Sequence, residues 1–226
     1  AGNDTMKGEN GSDTLLGQGG DNQLYGGSDG DALFAGSGSD TLDGGTGNDT
    51  MIGGLGDDVY YVDHSQDDVS EAIDSGIDTV WSAVSGYSLS DHVENLGLGV
   101  NVVAGSGNGL GNILTGNASN NLLDGKTGDD TLFGGAGNDT LIGGDANERF
   151  RGNAGNDTIM GGNGSEDILD LSPTNGSVSV NLASGIANVG LGGTDRFTGI
   201  EGVYAGTGAD TLIGGIGNDV FDGGMN

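Results

Sequence analysis

Gly44-Gly45-Thr46-Gly47-Asn48-Asp49-Thr50-Met51-Ile52 decides the fold, because the chain repeats it. Related nonapeptides begin at Gly8, Gly17, Gly26, Ala35 and Gly53, with a partial copy at Gly2. A second series opens weakly at Ser106 and Thr115, gains one residue near Lys126, and then runs from Gly134, Gly143, Gly152 and Gly161. A short third series starts at Ala205 and Gly214. A fixed short period of this kind signals a solenoid, in which each unit is stabilised by stacking on its neighbours.

Each unit has two halves. Its first six positions are Gly and Asp or Asn, residues that accept the left-handed conformations of tight turns. The last three read polar, apolar, variable, a minimal strand whose middle residue faces one side. Those middle residues are Leu15, Leu24, Leu33, Leu42, Met51 and Tyr60, then Leu132, Leu141, Phe150, Ile159 and Ile168, then Leu212 and Phe221. They are the predicted core. A strand this short followed by a turn reverses direction each time, so two nonapeptides complete one coil, with a rise of about 4.8 Å to the next. The expected fold is all-β: a parallel β-roll, a solenoid resembling a β-helix, with irregular β inserts.

The period breaks twice. Expected boundaries are a first repeat block at 1–61, an irregular insert at 62–104, a second block at 105–169, a hairpin-like insert at 170–199 and a third block at 200–226, all in one continuous solenoid. Within the first insert, 77–84, 87–89 and 93–98 read as short strands. Within the second, 177–182 and 186–189 read as a hairpin across Ala183-Ser184-Gly185. Wider coils or lateral strands that continue the solenoid are expected at both.

Composition narrows the function. Among 226 residues are 52 Gly and 34 acidic side chains against 5 basic ones, for a formal charge of −29. Nucleic acid and anionic membrane surfaces would be repelled. Cations would be attracted. Without cysteine there are no disulfides and no thiolate metal sites. No apolar run approaches the roughly 18 residues of a membrane span, and no signal peptide opens the chain. Both ends fall inside a repeat, so a piece of a longer protein is expected. His64 and His92 are the only histidines and lack zinc-like spacing. Arg149 and Arg151 flank Phe150 and are expected on one face, offsetting charge beside the Glu148 turn. No residue is assigned to catalysis.

The turns stack along two edges. Asp13, Asp31 and Asp49 fall on one; Asp4, Asn22, Asp40 and Asp58 fall on the other. A lone Asp in a glycine-rich turn is commonly an Asx-turn former. A ladder of carboxylates about 5 Å apart is different, because its members repel unless a cation lies between them. Oxygen-only ligands in a flexible shell favour calcium over magnesium.

These units resemble the RTX, or haemolysin-type, calcium-binding repeats, whose pattern is G-G-x-G-x-D-x-U-x. Gly134-Gly135-Ala136-Gly137-Asn138-Asp139-Thr140-Leu141-Ile142 matches it at every position. The resemblance implies calcium held between same-edge turns by the Asp carboxylates and nearby turn carbonyls. It names Asp13, Asp31, Asp40, Asp49, Asp58, Asp130, Asp139, Asp157, Asp210 and Asp219 as ligands. Asn22, Gly111 and Asn120 depart by replacing the Asp, and Glu148 and Glu166 depart by an extra methylene. Glu201 sits in register with Asp219. The resemblance further implies a secreted protein of a Gram-negative bacterium, exported by type I secretion through an uncleaved C-terminal signal that is not visible here.

The function so implied is a calcium-dependent folding and stabilising module, non-enzymatic in itself. Two alternatives stand beside it: a surface-layer or adhesin protein that self-assembles with calcium, and the C-terminal part of an exoenzyme such as a protease, lipase or epimerase. Partners other than calcium are expected at the ninth positions. Leu16, Phe34 and Ile52 share one face, and Lys7, Tyr25, Asp43 and Tyr61 the other; Leu123, Ile142 and Met160 share a face in the second block. Such an apolar stripe suits a covalently linked domain or self-association, or else its members simply cover one another.

Overall fold

The computed structural model describes residues 2–224. The chain divides into two compact units, the first ending at Val102 and the second beginning at Val103. Both are built almost wholly of strands, and most neighbouring strands are parallel.

The first unit contains β1 (Thr5–Asn10), β2 (Thr14–Leu16), β3 (Gln23–Ser28), β4 (Ala32–Ser37), β5 (Thr41–Thr46), β6 (Thr50–Leu55), β7 (Val59–Val62), β8 (Asp68–Val69), β9 (Thr79–Ser82), β10 (Tyr87–Ser88) and β11 (Asn95–Leu98). One sheet runs β1-β3-β5-β7-β9-β11 and the other β2-β4-β6-β8. Leu24 pairs with Leu42, and Leu33 with Met51, so a coil advances by two nonapeptides. Leu24, Leu33, Leu42, Met51 and Tyr60 are fully buried between the sheets. The strands are longer than the three residues expected. In β3 the ladder continues through Gly27, which pairs with Gly45. Backbone groups of the glycine start of each unit would otherwise lack partners, and the neighbouring coil supplies them.

The solenoid continues through 62–102 by changing coil length rather than by opening a new fold. Val59 pairs with Thr79, a coil of 20 residues, and Thr79 with Asn95, a coil of 16. Val80 and Leu96 extend the core row begun by Leu24 and Leu42. β9, β10 and β11 lie within the three stretches read as strands.

The second unit contains β12 (Ala104–Ser106), β13 (Ile113–Thr115), β14 (Leu122–Lys126), β15 (Thr131–Ala136), β16 (Thr140–Gly144), β17 (Arg149–Ala154), β18 (Thr158–Gly162), β19 (Ile168–Asp170), β20 (Ser179–Asn181), β21 (Ile186–Asn188), β22 (Thr194–Thr198), β23 (Gly202–Tyr204), β24 (Thr211–Ile213) and β25 (Val220–Asp222). One sheet runs β13-β15-β17-β19-β23-β25, the other β12-β14-β16-β18-β22-β21-β20-β24. Strands β20 and β21 form an antiparallel hairpin, with Ser179 opposite Asn188 and Asn181 opposite Ile186. β21 is antiparallel to β22, whereas β20 is parallel to β24. The hairpin therefore enters the sheet sideways, as two extra strands between consecutive coils.

Two register expectations are corrected. No residue is gained near Lys126: Ala104 pairs with Leu122 and Leu122 with Thr140, each 18 residues on. Leu123 is accordingly core and fully buried, not part of an outer stripe, and Asp124 stands outside beside Ile142. Asn112 and Asn121, rather than Gly111 and Asn120, take the carboxylate position. Keeping Leu114 and Leu123 in the apolar row forces that register.

The extra residue enters later. Arg149 pairs with Ile168 and Phe150 with Leu169, so Leu169 is buried in place of Ile168, and Asp167 replaces Glu166. Leu212 is only half-buried, and Phe221, paired with Val203, is 39% exposed. β25 has a strand neighbour on one side alone among the described residues.

Candidate metal sites

Same-edge turns are tied together by their carboxylates. The backbone N–H of Asp13 donates to Asp31 Oδ1 at 2.7 Å, and that of Asp31 to Asp49 Oδ1 at 2.7 Å. On the other edge Asn22 N–H donates to Asp40 Oδ1 at 2.6 Å, and Asp40 N–H to Asp58 Oδ1 at 2.7 Å. The second unit repeats the pattern from Asn112 to Asp130, from Asn121 to Asp139 and from Asp139 to Asp157. Each bond spans one coil. The aspartates are thus ordered into two ladders by an amide, whatever else they hold.

That arrangement uses one carboxylate oxygen and leaves the other unsatisfied. Oδ2 of Asp13, Asp31, Asp40, Asp49, Asp58, Asp130, Asp139, Asp157 and Asp210 is buried and meets no hydrogen-bond donor. Nine of the ten aspartates named from the repeat pattern share this condition. Asp219 differs, because its Oδ2 accepts the N–H of Gly215 in its own turn. Buried anionic oxygens without donors cost several kcal/mol each unless a cation takes the place of water.

The space beside most of these free oxygens is kept open by glycine, whereas Ala35 and Ala205 stand at that place before Asp40 and Asp210. At Gly134 a Cβ would lie 2.4 Å from Asp139 Oδ2 and 2.9 Å from the carbonyl oxygen of Gly152 in the next coil. Gly26 and Gly8 stand in the same relation to Asp31 and Asp13. The spot is flanked by a carboxylate and a carbonyl, with oxygens on two sides. This donor set fits a hard cation, and calcium would be held there by oxygens alone. The adjacent Gly135 has a different task, since its φ of +104° is left-handed. In this unit the two glycines therefore serve space and conformation respectively. Gly134→Ala is expected to abolish one calcium equivalent in a binding titration. It should also lower the urea midpoint at saturating calcium, by about 1–3 kcal/mol of overpacking; an unchanged calcium count would refute this role.

Units with Asn solve the same problem without a cation. Asn22 Nδ2 donates to the Gly20 carbonyl at 2.8 Å, and Asn112 and Asn121 accept from Asn108 and Asn117 N–H groups within their own turns. An amide carries its own donor and no charge.

Burial sets the electrostatics. Desolvation raises Asp58 and Asp130 to about 7 and Asp139 to about 6, against the donated backbone N–H that pulls each back down. Asp49 and Asp157 are raised for the same leading reason. Glu148 is buried with both oxygens unpartnered, and burial and then the neighbouring Asp167 push it up.

Several ladder members escaped the sequence reading. Asp67 continues the Asp13–Asp31–Asp49 edge by accepting Asp49 N–H, and its Oδ2 takes the Asp63 and His64 amides. Asp78 accepts from Asp58, and Glu94 from Asp78. Asp195 accepts from Asp157 across 38 residues, with Oδ2 free and burial raising it to about 7. Glu201, which the sequence did place in register with Asp219, accepts from Asp167. Altered coil lengths put Asp78, Glu94 and Asp195 outside a period of nine, whereas Asp67 keeps the 18-residue spacing from Asp49 but lies in a stretch without the glycine pattern. The first units of the second block do carry a signal of their register, since Leu114 and Leu123 sit 18 before Leu132 and Leu141.

Arg149 and Arg151 do project together, but their partner is Asp170 rather than the Glu148 turn. Their guanidinium groups reach Asp170 Oδ2 at 2.7 and 2.5 Å. Burial raises the Asp170 carboxyl, yet bonds from Ser172 and the two arginines outweigh it and hold it below the usual range. The pair also lies over aromatic rings, Arg149 over Tyr204 and Arg151 over Phe133. On the outer face of the first unit Leu16 (54% exposed) and Phe34 (36%) stand side by side. Among the described residues no helix is long and apolar enough to cross a membrane.

A family model described as RTX calcium-binding nonapeptide repeat (4 copies) matches residues 1–33, 25–60, 106–141, 142–169 and 189–225. These matches cover more than two thirds of the chain. No curated protein matches it.

Proposed function

From the premise that the chain belongs to the RTX calcium-binding nonapeptide repeat family, we propose that it is a calcium-triggered folding and stabilising module of a secreted bacterial protein. The observation that carries this reading is the row of buried Oδ2 atoms without donors. Without cations those oxygens oppose the fold; with calcium they hold it. Where calcium is scarce, as in the cytosol, the acidic chain stays unfolded and fit for export. Outside, calcium exceeds the dissociation constants typical of extracellular modules, about 10⁻⁴ to 10⁻³ M. Mass action then favours the rolled state.

The ligands in this reading are Asp13, Asp31, Asp40, Asp49, Asp58, Asp130, Asp139, Asp157 and Asp210, with turn carbonyls completing each shell. Asp219 is the weakest of the ten, because its own turn already satisfies it. Asp195 joins them on its free buried oxygen. The module performs no catalysis itself; any activity belongs to what it is attached to. Calorimetric titration tests the reading. Several calcium equivalents per chain are expected, with magnesium binding at least tenfold more weakly. A chain that takes up no calcium, or magnesium equally well, would sink it.

A further inference from the structure

The coil that leaves the nonapeptide pattern brings a third carboxylate to a ladder that elsewhere has two. Asp58 and Asp78 lie on successive coils, joined by the Asp58 N–H donating to Asp78 Oδ1 at 2.8 Å. This coil has 20 residues instead of 18. Glu71 follows Val69, which still pairs with Met51 18 residues before it, and a ligating oxygen from each of Asp58, Glu71 and Asp78 lies within 4.8 Å of the other two. Asp58 and Asp78 are 1% and 0% exposed, and Oδ2 of each meets no donor. Two of the three clustered acids thus carry an orphaned, buried oxygen.

Glu71 is held in place. Its Oε1 accepts the Tyr60 hydroxyl and, at 3.3 Å, the Gly54 N–H. The Tyr60 oxygen in turn accepts the Gly53 N–H at 2.7 Å. Tyr60 occupies a core position where the preceding units have Leu or Met. It replaces an aliphatic side chain by one with a hydroxyl directed at this carboxylate. Among the described residues no Lys or Arg forms an ion pair with any of the three acids.

We propose that Asp58, the carboxylate of the last regular nonapeptide of the first series, joins Glu71 and Asp78, both outside the repeat pattern, in a three-carboxylate calcium site, the tightest in the chain. The inference rests on the reading above for the identity of the cation. Its greater strength follows from charge and rigidity. Calcium affinity rises with the number of carboxylates and with the stiffness of the shell, and here a third carboxylate is pre-positioned by a buried hydroxyl. The site lies at the junction of the repeats with the irregular coils, and filling it first would fix the register of both.

Glu71→Gln separates charge from structure, because the amide oxygen can still accept from Tyr60 and Gly54. Calcium would be titrated into the whole chain in competition with a fluorescent chelator. The wild-type chain is expected to show one equivalent tighter than the rest. In Glu71→Gln that equivalent should weaken at least tenfold while the later ones stay unchanged. Asp78→Asn, which keeps the oxygen that accepts the Asp58 amide, should give the same loss; far-ultraviolet circular dichroism at saturating calcium reports whether each variant folds. Wild-type chain with several equivalents and both folded variants titrating identically to it would overturn this site alone. Wild-type chain with no calcium uptake would overturn the proposed function along with it.

Discussion

Withdrawing calcium is expected to convert the far-ultraviolet spectrum of the chain from β to coil, and magnesium should not restore it. The expectation follows from the ladders. Asp31, Asp40, Asp49, Asp58, Asp130, Asp139 and Asp157 are each 3% exposed or less, and each keeps one oxygen without a donor. Removing the cation leaves like charges stacked in a medium of low dielectric constant, with neither water nor arginine to answer them. A single site occupied at 100 times its dissociation constant contributes about 2.7 kcal/mol. Total domain stabilities are commonly about 5–15 kcal/mol, so losing a few such sites exceeds what the apolar rows can supply. Stacking couples the sites, and the transition should therefore be steep in calcium. A β spectrum that persists in chelator would mean that the roll is preformed and calcium only decorates it.

Acid should act in the opposite sense on the metal-free and calcium-loaded forms. Burial raises Asp58, Asp130 and Asp195 to about 7, and Asp78 and Asp139 to about 6, from an ordinary value of 3.8. Their folded pKa values lie above the unfolded ones, so the folded metal-free chain binds more protons. That contribution to stability is complete below about pH 4 and disappears as the pH rises through 6 to 7. Protons and calcium compete for the same oxygens. Lowering the pH from 8 to 5 is therefore expected to weaken calcium binding by about a hundredfold at a site governed by a carboxylate titrating near 7. Over the same range the metal-free chain should gain β signal. Calcium titrations at fixed pH, with proton release followed in weakly buffered solution, check both halves. An affinity that stays constant from pH 8 to pH 5 would show that these carboxylates are already ionised in the folded chain.

The apolar positions and the turn residues were legible because each carries its own reason. Leu24, Leu33, Leu42 and Met51 recur at one place in the unit and fill the interior as two rows, Leu24 and Leu42 from one sheet and Leu33 and Met51 from the other. Asp13, Asp31 and Asp49 recur at another and form one ladder. The hairpin around Ala183-Ser184-Gly185 was legible from alternation and a turn signal alone. The register slipped where composition gave no anchor. Near Lys126 the glycines suggest one register, while the structure follows Leu114 and Leu123, since misplacing an apolar residue costs more than shifting a polar turn. Beyond Glu148 the added residue moved the inward position from Ile168 to Leu169.

The sequence by itself determined the parallel solenoid, the two acidic edges and the oxygen-only chemistry, because a local period dictates stacking once two units make a coil. Only the tertiary structure decided which acids share an edge where the period fails. Asp195 reaches Asp157 across an inserted hairpin, and Glu71 reaches Asp58 and Asp78 across an enlarged coil. Those partnerships depend on coil length, which sets where a distant residue returns. Coil length is fixed by the closure of the backbone ladder and the packing of Tyr60 beneath Val80, not by any pattern within nine residues.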